Sequence, residues 1–422
     1  MGAAKKGNQR VAPTYTHIFS RRYLFVTLLL GFSSGLPLAL TAGTLQAWFT
    51  VSNIDILTIG FLTLVGQPYV YKFFWAPLMD RYHLPFLGRR RGWMLVTQIL
   101  LIISISGMAI LQPSQSPGTL ACIALVVSFL SASQDIVVDA WRTEIFPAEE
   151  RGIGAAIFVS GYRLSMLVSG ALALVLADHI GFQQTYLYMA AFMLTGLIAT
   201  YLAPEPAWIA SSSDGKSPFH TFFAAMQELW IREGIILLLI FLVLYKLGDA
   251  FAAALLTTFL IKGLGFSLTT LGTVYKTVGL TATILGAFAG GLLLVKLKLY
   301  RSLMLFGILQ AVAILAYMAL AMVGQNYAVM IIAIFVENFF AGMATDGFVA
   351  MLMGLCNQQF TATQYALLAA LTAIGRVFVG PLAAVIVQQA GWVNFFFFSF
   401  LVCIPGLILL YYLKNQSIFK SA

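Results

Sequence analysis

Stretches of about 20 apolar residues, the length that crosses a bilayer as a helix, run almost end to end through this sequence. Twelve can be drawn, over 23–48, 57–79, 92–111, 119–141, 153–177, 184–203, 235–261, 269–295, 302–324, 327–353, 364–388 and 393–413. Hydrocarbon offers backbone N–H and C=O groups no partner except one another, so such stretches must be helices. Only 9% of the residues are charged, against roughly 25% in a soluble chain. The expected fold class is therefore all-α, a polytopic membrane protein with twelve transmembrane helices.

The net charge of +9 reports topology. Basic residues sit before the first stretch (Lys5, Lys6, Arg10, Arg21, Arg22) and between the second and third (Arg81, Arg89, Arg90, Arg91). They also follow the fourth and eighth (Arg142, Arg151, Lys296, Lys298, Arg301) and occupy the central loop (Lys216, Arg232) and the tail (Lys414, Lys420). With an even span count all of these fall on one side and only Lys262 on the other. The positive-inside rule then puts both termini in the cytoplasm. Anionic lipid is an expected partner of these loops and nucleic acid is not. Cys122, Cys356 and Cys403 lie in or beside apolar spans; they read as small buried hydrophobes with no disulfide. No cleavage site follows the first span, which is expected to stay as a helix.

The chain repeats itself. FLSASQD (129–135) and FAGMATD (340–346) each place an Asp six positions after a Phe, across a run of small or polar residues. Asp135 and Asp346 are 211 residues apart. IDILTIG (54–60) matches FSLTTLG (266–272) at an offset of 212, and GALALVLADHIG (170–181) matches GPLAAVIVQQAG (380–391) at 210. Three matches in order at nearly constant offset indicate a six-span repeat. The expected organisation is a six-helix half over 1–203, a linker over 204–233 and a second six-helix half over 234–422. In the linker Pro204 and Pro206 stop a helix, and Phe219, Phe222, Phe223, Met226, Leu229 and Trp230 recur at the spacing of a surface amphipathic helix. Two such halves rocking about a midplane site make a transporter.

Ten ionisable residues fall inside the spans: Asp135, Asp139, Asp249, Glu337 and Asp346 against Lys72, Arg163, Lys246, Lys276 and Arg376. An unpaired charge at mid-bilayer costs at least ~2.5 kcal/mol, and such residues normally mark a solute or ion path. Static salt bridges between helices are the alternative. That alternative fits single pairs, Asp139 most of all, since it lies near the cytoplasmic end and can serve Arg142, Arg151 or Arg81. It fits the whole set poorly. Asp135 and Asp139 are i,i+4 neighbours, as needed for one carboxylate to hold a proton near neutrality. The five acids are thus candidates for proton coupling, Asp135 first with Arg163 as its partner. Lys246 and Asp249 share a helix face at i,i+3.

Gly31 and Gly35 allow a close helix approach, and Pro37 permits a kink. Thr41, Thr44 and Gln46 would then line a cavity. Gln46, Gln134, Tyr162 and Tyr245 supply the amides and aromatic faces that a sugar ring needs, with Gln67, Tyr69 and Tyr275 of the same type. His17, His83, His179 and His220 fall outside the expected spans, which argues against a histidine relay. Metal-ligand spacings, a P-loop and a nucleophile–base pair do not occur, so no metal, cofactor or enzymatic activity is expected. The proton gradient is the expected driving force.

PLMDR (77–81) followed by GRRR (88–91) resembles the loop between helices 2 and 3 of the major facilitator superfamily, with a wider gap than the usual pattern. That resemblance makes Asp80, Arg81, Arg89 and Arg90 a gating loop. LGFSSGLPLALTAGTLQAWF (30–49), SASQDIVVDAWRTE (131–144), PAEERGIGAA (147–156), GYRLSMLVSG (161–170), LYKLGDAF (244–251) and AIGRVFVGPLAA (373–384) are similar to the muropeptide permease family of Gram-negative inner membranes. The resemblance implies proton-driven import of N-acetylglucosaminyl-1,6-anhydro-N-acetylmuramyl peptides, with a part in wall recycling and β-lactamase induction. Lys72, Arg163, Lys246, Lys276 and Arg376 would meet the carboxylates of the stem peptide, and a monomer in the inner membrane is expected. A symporter of another anionic sugar or peptide is the first rival. A sensor or scramblase without solute turnover is the second.

Overall fold

The computed structural model describes residues 22–76, 79, 82, 87–146, 151–206, 223, 226–232, 234–355 and 361–414, and among them all regular structure is helical. Ten helices are long and apolar enough to cross a membrane. In chain order, and leaving one number for the run after the first, they are α1 (Arg22–Val51), α3 (Arg89–Ile110), α4 (Pro117–Ile145), α5 (Ile157–Ile180), α6 (Phe182–Leu202), α7 (Ile235–Gly263), α8 (Leu268–Leu294), α9 (Leu299–Val323) and α10 (Tyr327–Leu352), with Ala370–Leu413 last. The last is two helices, α11 and α12, joined at Gly391, whose φ of 78° only glycine adopts at low cost.

The chain over 56–74, here α2, is helical in pieces. It is α-helical over Ile56–Phe61 and Gln67–Tyr71 and 3₁₀ over Leu62–Gly66 and Lys72–Phe74. Pro68, in the first turn of Gln67–Tyr71, lacks the donor that would continue the ladder. The expected twelve spans are reached only by counting this broken run. Helix α1 holds Pro37 within its helical run Arg22–Thr41 and is interrupted at Ala42 (φ −111°, ψ −106°). Helix α5 runs on to Ile180, so His179 lies in its last turn, with Nδ1 2.8 Å from the Val175 carbonyl, instead of outside the span. Cys122 is exposed on α4, not buried, Cys403 is buried, and Cys356 lies outside the described residues. Most of the expected surface helix in the linker lies outside the described residues; Met226–Trp230 is helical, with Leu229 buried and Trp230 exposed.

Packing within each half rests on glycine. A Cβ on Gly31 would come within 2.3 Å of the Phe158 carbonyl oxygen and one on Gly161 within 2.2 Å of that of Leu28, so α1 and α5 touch backbone to backbone. Gly342 does the same for α8 and α10, its Cβ falling 2.4 Å from the Thr283 oxygen. Where lipid already solvates apolar side chains, such close contact is the main source of helix association.

The repeat motifs are contact points between the halves. A Cβ on Gly60 of α2 would lie 2.6 Å from the Gly380 oxygen of α11, and one on Gly272 of α8 would lie 2.5 Å from the Ala171 oxygen of α5. Gly60 and Gly272 are repeat equivalents, and so are Gly170 and Gly380. Gly60 thus packs on the other copy's second glycine, and Gly272 on Ala171, the residue after the equivalent glycine.

These contacts lie toward the ends of α1, α5 and α7 remote from the basic loops, here the far side. Neutral hydrogen bonds join the halves there: Gln46 Nε2 donates to the Ala254 oxygen (2.7 Å), Thr63 Oγ1 to the Val377 oxygen (2.8 Å), and Thr50 and Thr258 share a bond (3.0 Å). Asp178 of α5 accepts from the backbone N–H (3.1 Å) and hydroxyl (2.6 Å) of Thr269, in the first turn of α8.

The apolar core has the same asymmetry. One buried cluster on the far side unites residues of both halves, among them Trp48 and Phe49 with Phe259 and Phe266. Toward the basic side the core divides by half, with clusters around Val26, Met94 and Trp141 and around Leu24 and Phe146 in the first, and around Phe241, Leu303 and Phe348 and around Phe306 and Met343 in the second. The described molecule is sealed on the far side and parted on the basic side.

Candidate functional site

Helix α4 carries Ser131, Gln134, Asp135 and Asp139 within a little over two turns. Gln134 is fully buried and its Nε2 donates to Ser33 Oγ (3.0 Å) and more weakly to Ser34 Oγ (3.4 Å) on α1. Asp139 forms an ion pair with Arg142 (2.9 Å), whose guanidinium lies 4.3 Å from the centre of the Phe158 ring. That pairing matches the anchoring role open to Asp139. Asp135 is different. Its main counter-charge is Lys72 of α2, with Asp139 and Arg142 further neighbours. Its Oδ1 is buried and accepts no hydrogen bond among the described residues.

A second acidic cluster lies in the other half. Lys246 Nζ and Asp249 Oδ2 of α7 are 3.8 Å apart, as their i,i+3 spacing requires. Gln310 Nε2 of α9 donates to Asp249 Oδ1 (3.2 Å) and Tyr317 to Glu337 Oε2 (3.1 Å). Glu337 is 7% exposed and feels the charges of Asp249 and Lys246. A carboxylate this enclosed needs a proton or a cation close by. Tyr245 is buried, donates to the Leu303 carbonyl (2.9 Å) and stacks on Phe348; it forms the wall of the Lys246–Asp249 cleft.

Three cations stand where the halves face each other. Arg163 and Arg376 are exposed and enter no ion pair among the described residues. Arg163 acts on Asp346 of the other half, and Arg376 acts on Tyr162 of the other half. Lys276 of α8 lies 4.7 Å from the Tyr275 ring centre and beside Gly43 and Gly170 of the first half. A Cβ on Gly43 would lie 3.4 Å from its Nζ, so the bare glycine leaves room for the ammonium. Cations on both walls of a cleft can pair with an elongated anion.

The neutral donors expected in the cavity have other roles. Thr41 bonds back to the Pro37 oxygen (3.0 Å), Thr44 to the Ser169 oxygen (2.7 Å) and Gln46 to the Ala254 oxygen. All three are buried, while Ala42 between them is exposed. Of the gating loop, Asp80 and Arg81 lie outside the described residues. Arg89 and Arg90 both reach Glu144 of α4 (2.7 and 2.6 Å). The Glu205 carboxylate accepts from the backbone N–H groups of Arg90 (2.9 Å) and Arg91 (3.2 Å), neutralising the open N-terminus of α3. Gly88 has φ of 90°, and a Cβ there would fall 2.6 Å from the Glu205 carboxyl carbon. On the far side, Asp55 caps α2 by accepting from the Thr58 N–H (2.9 Å). Its bonds with Thr58 hold its carboxyl below the usual range.

Glu144, Asp178, Glu205, Gln310 and Tyr317 were not among the expected site residues. A signal existed for Gln310, an amide in the middle of an apolar span. The others gain meaning only from distant partners.

The model of the Major Facilitator Superfamily matches residues 23–367. The chain belongs to that superfamily. It is similar to the anhydromuropeptide permease of Escherichia coli K12, at 53% identity over 397 residues that make up 94% of this chain and 80% of that protein. Among solved structures it is similar to a POT family transporter in complex with a thioalcohol-conjugated peptide, with TM-score 0.72, 14% identity and coverage of 94% of this chain and 96% of that one. It is also similar to a bacterial homologue of the lysosomal transporter Spinster, inward-facing and unoccupied, with TM-score 0.71, 13% identity and coverage of 97% and 98%. These two establish the fold. The superfamily is one of transporters, not of enzymes.

Proposed function

We propose that this protein imports anhydro-muropeptides across the bacterial inner membrane, driven by the proton gradient, and so serves wall recycling and β-lactamase induction. The observation that carries the reading is the pair of exposed arginines, Arg163 and Arg376, on opposite walls of the cleft between the halves. A muropeptide joins neutral sugars to a stem peptide rich in carboxylates, and planar guanidinium groups bind carboxylates in two-pronged fashion. The 53% identity to a permease named for this substrate supports the choice.

In this reading the halves 1–203 and 234–422 rock against each other, and both termini and the basic loops face the cytoplasm. The parted side is then cytoplasmic and the described state is inward-facing. Substrate enters from the periplasm when the far-side seal opens. Its carboxylates meet Arg163, Arg376 and Lys276, and Lys72 and Lys246 flank the path. Asp135 carries the proton, beside Lys72, and the Asp249–Glu337 cluster is the second place where one can be held. Protonation of a buried carboxylate removes a charge that the closed cleft cannot solvate, which links proton entry to closure.

The test is uptake of labelled anhydro-muropeptide into proteoliposomes with and without an inward proton gradient, against a competition panel of other anionic sugars and peptides. Accumulation above the external concentration is expected only with the gradient. Equilibration indifferent to the gradient would remove proton coupling, and no uptake by folded protein would remove the substrate.

A further inference from the structure

Eight buried side-chain N or O atoms lack a hydrogen-bond partner among the described residues, and six of them belong to the first half. They are Tyr69 Oη of α2, Gln98 Nε2 of α3, and Ser128 Oγ, Ser131 Oγ, Gln134 Oε1 and Asp135 Oδ1 of α4. Chance does not distribute them so. Ser128, Ser131 and Asp135 are at i, i+3 and i+7 on one face of α4, about 10 Å of helix at 1.5 Å per residue. Gln134 joins them beside Asp135; Tyr69 feels the Asp135 charge and its hydroxyl faces that of Ser131, while the Ser34 hydroxyl faces the Asp135 carboxyl. Gln98 lies against Gly196 beside Ser33, which accepts the amide proton of Gln134. Ser128, Ser131, Gln98 and Gln134 are each fully buried.

Buried polar groups in native proteins are nearly always bonded to protein or to ordered water. Six such atoms from three helices, near enough to feel one another yet making no hydrogen bond of normal geometry among the described residues, have the composition of a wall around water. A sodium ion suits the place less well, because Lys72 is the strongest charge acting on Asp135. The string ends toward the far side at Leu120, Ala124 and Val127, all buried and apolar.

We infer that α2, α3 and α4 enclose a blind, water-filled pocket inside the first half, which solvates Asp135 and passes protons to it separately from the substrate cleft. The inference rests on the proposed proton-coupled import and deepens it. The charged and titratable groups around Asp135 are Lys72 and Tyr69 from α2, Tyr162 from α5, and Asp139 and Arg142 from α4 itself. The pocket keeps charged Asp135 hydrated while the far side is sealed, and the apolar plug prevents protons from leaking through without substrate.

Hydroxyl-radical footprinting of the whole protein in nanodiscs tests the water. Radicals form from water where it sits, so Tyr69 should be modified in the wild type and at least threefold less in Ser131→Val. Tyr186, fully buried with its hydroxyl on the Leu40 carbonyl, should stay unmodified in both and reports intact folding. Ser131→Ala replaces the valine variant if Tyr186 becomes reactive. Unchanged Tyr69 modification overturns the pocket. In proteoliposomes the same variant should keep substrate counterflow, which needs no net proton movement, and lose gradient-driven accumulation at least tenfold. Reduced Tyr69 modification with normal accumulation overturns the coupling role. Wild-type protein that shows neither counterflow nor uptake would overturn the muropeptide reading, while the Tyr69 comparison still decides the pocket.

Discussion

Gly60→Ala should open the far-side seal. The new Cβ meets the Gly380 carbonyl oxygen at 2.6 Å and the Ala384 Cβ at 2.7 Å. Neither belongs to a flexible side chain, so relief requires α2 and α11 to separate. Reaching an ordinary 3.4 Å contact takes about 0.8 Å (3.4 − 2.6). If the Thr63–Val377 bond, 2.8 Å long, stretches by the same amount, it reaches about 3.6 Å, too long to count as a hydrogen bond. Overpacking costs about 1–3 kcal/mol and a lost hydrogen bond about 0.5–1.5 kcal/mol. A state with the seal open escapes both, so a shift of about 2 kcal/mol, or roughly 30-fold, toward it is expected. The reporter is a cysteine at Thr50, a position 2% exposed within the seal, in a chain with its native cysteines replaced. Its rate of reaction with an impermeant maleimide added from the far side should rise at least tenfold in Gly60→Ala. Gly107→Ala, where nothing lies within 4 Å of the added Cβ, is the control and should leave it unchanged. Equal rates in folded Gly60→Ala and wild type would refute the reasoning that these glycines hold the closed state together.

Asp135→Asn should abolish accumulation against a gradient while sparing counterflow; a variant that still concentrates substrate would move the coupling role to Asp249 and Glu337. Arg376→Gln should raise the KM for muropeptide about 10- to 100-fold, the value of one charge-assisted hydrogen bond, with kcat changed little; an unaltered KM in a saturation series would take Arg376 out of the binding site. Asp55→Ala should lower stability by about 0.5–1 kcal/mol at neutral pH through loss of the cap. The folded carboxyl titrates below its usual value, so this contribution is present above about pH 4 and fades as pH falls through the folded value. Apparent melting temperatures of variant and wild type should therefore converge in acid, and a constant difference at all pH values would exclude the cap as the cause.

The sequence made the spans legible because lipid imposes a length and a composition on them. It made the repeat legible too, and the structure supplies the reason: Gly60, Gly272 and Gly380 stand where backbones of opposite halves touch, so one requirement acts on both copies. The buried acids were visible as costly exceptions in apolar runs. Which face of a helix meets which neighbour was not visible. Spans that are apolar all round carry no amphipathic signal to orient them, so Thr41, Thr44 and Gln46 looked like cavity residues although they are bonded within the protein. Glu205 and Asp178 were passed over for a related reason. Each caps the start of a helix from another part of the chain, 115 residues from Arg90 in one case and 91 from Thr269 in the other.

Most donors in the far-side seal are side chains, and several of their acceptors are backbone carbonyls, at Ala254, Val377 and Ile54. A carbonyl oxygen is present whatever residue bears it, so each of these three contacts is specified by its donor alone, unlike Thr50–Thr258 and Asp178–Thr269. A mutational scan across the seal should register Gln46, Thr63 and Lys262 and pass over the residues they bind. The two surfaces need not change in step, because a replacement at Ala254 or Val377 leaves the acceptor where it was. Opening the seal at Ala254 and Val377 then exposes neutral carbonyls that water satisfies at once, and among the described residues that bond across it only Lys262 and Asp178 carry charge into the opened gap.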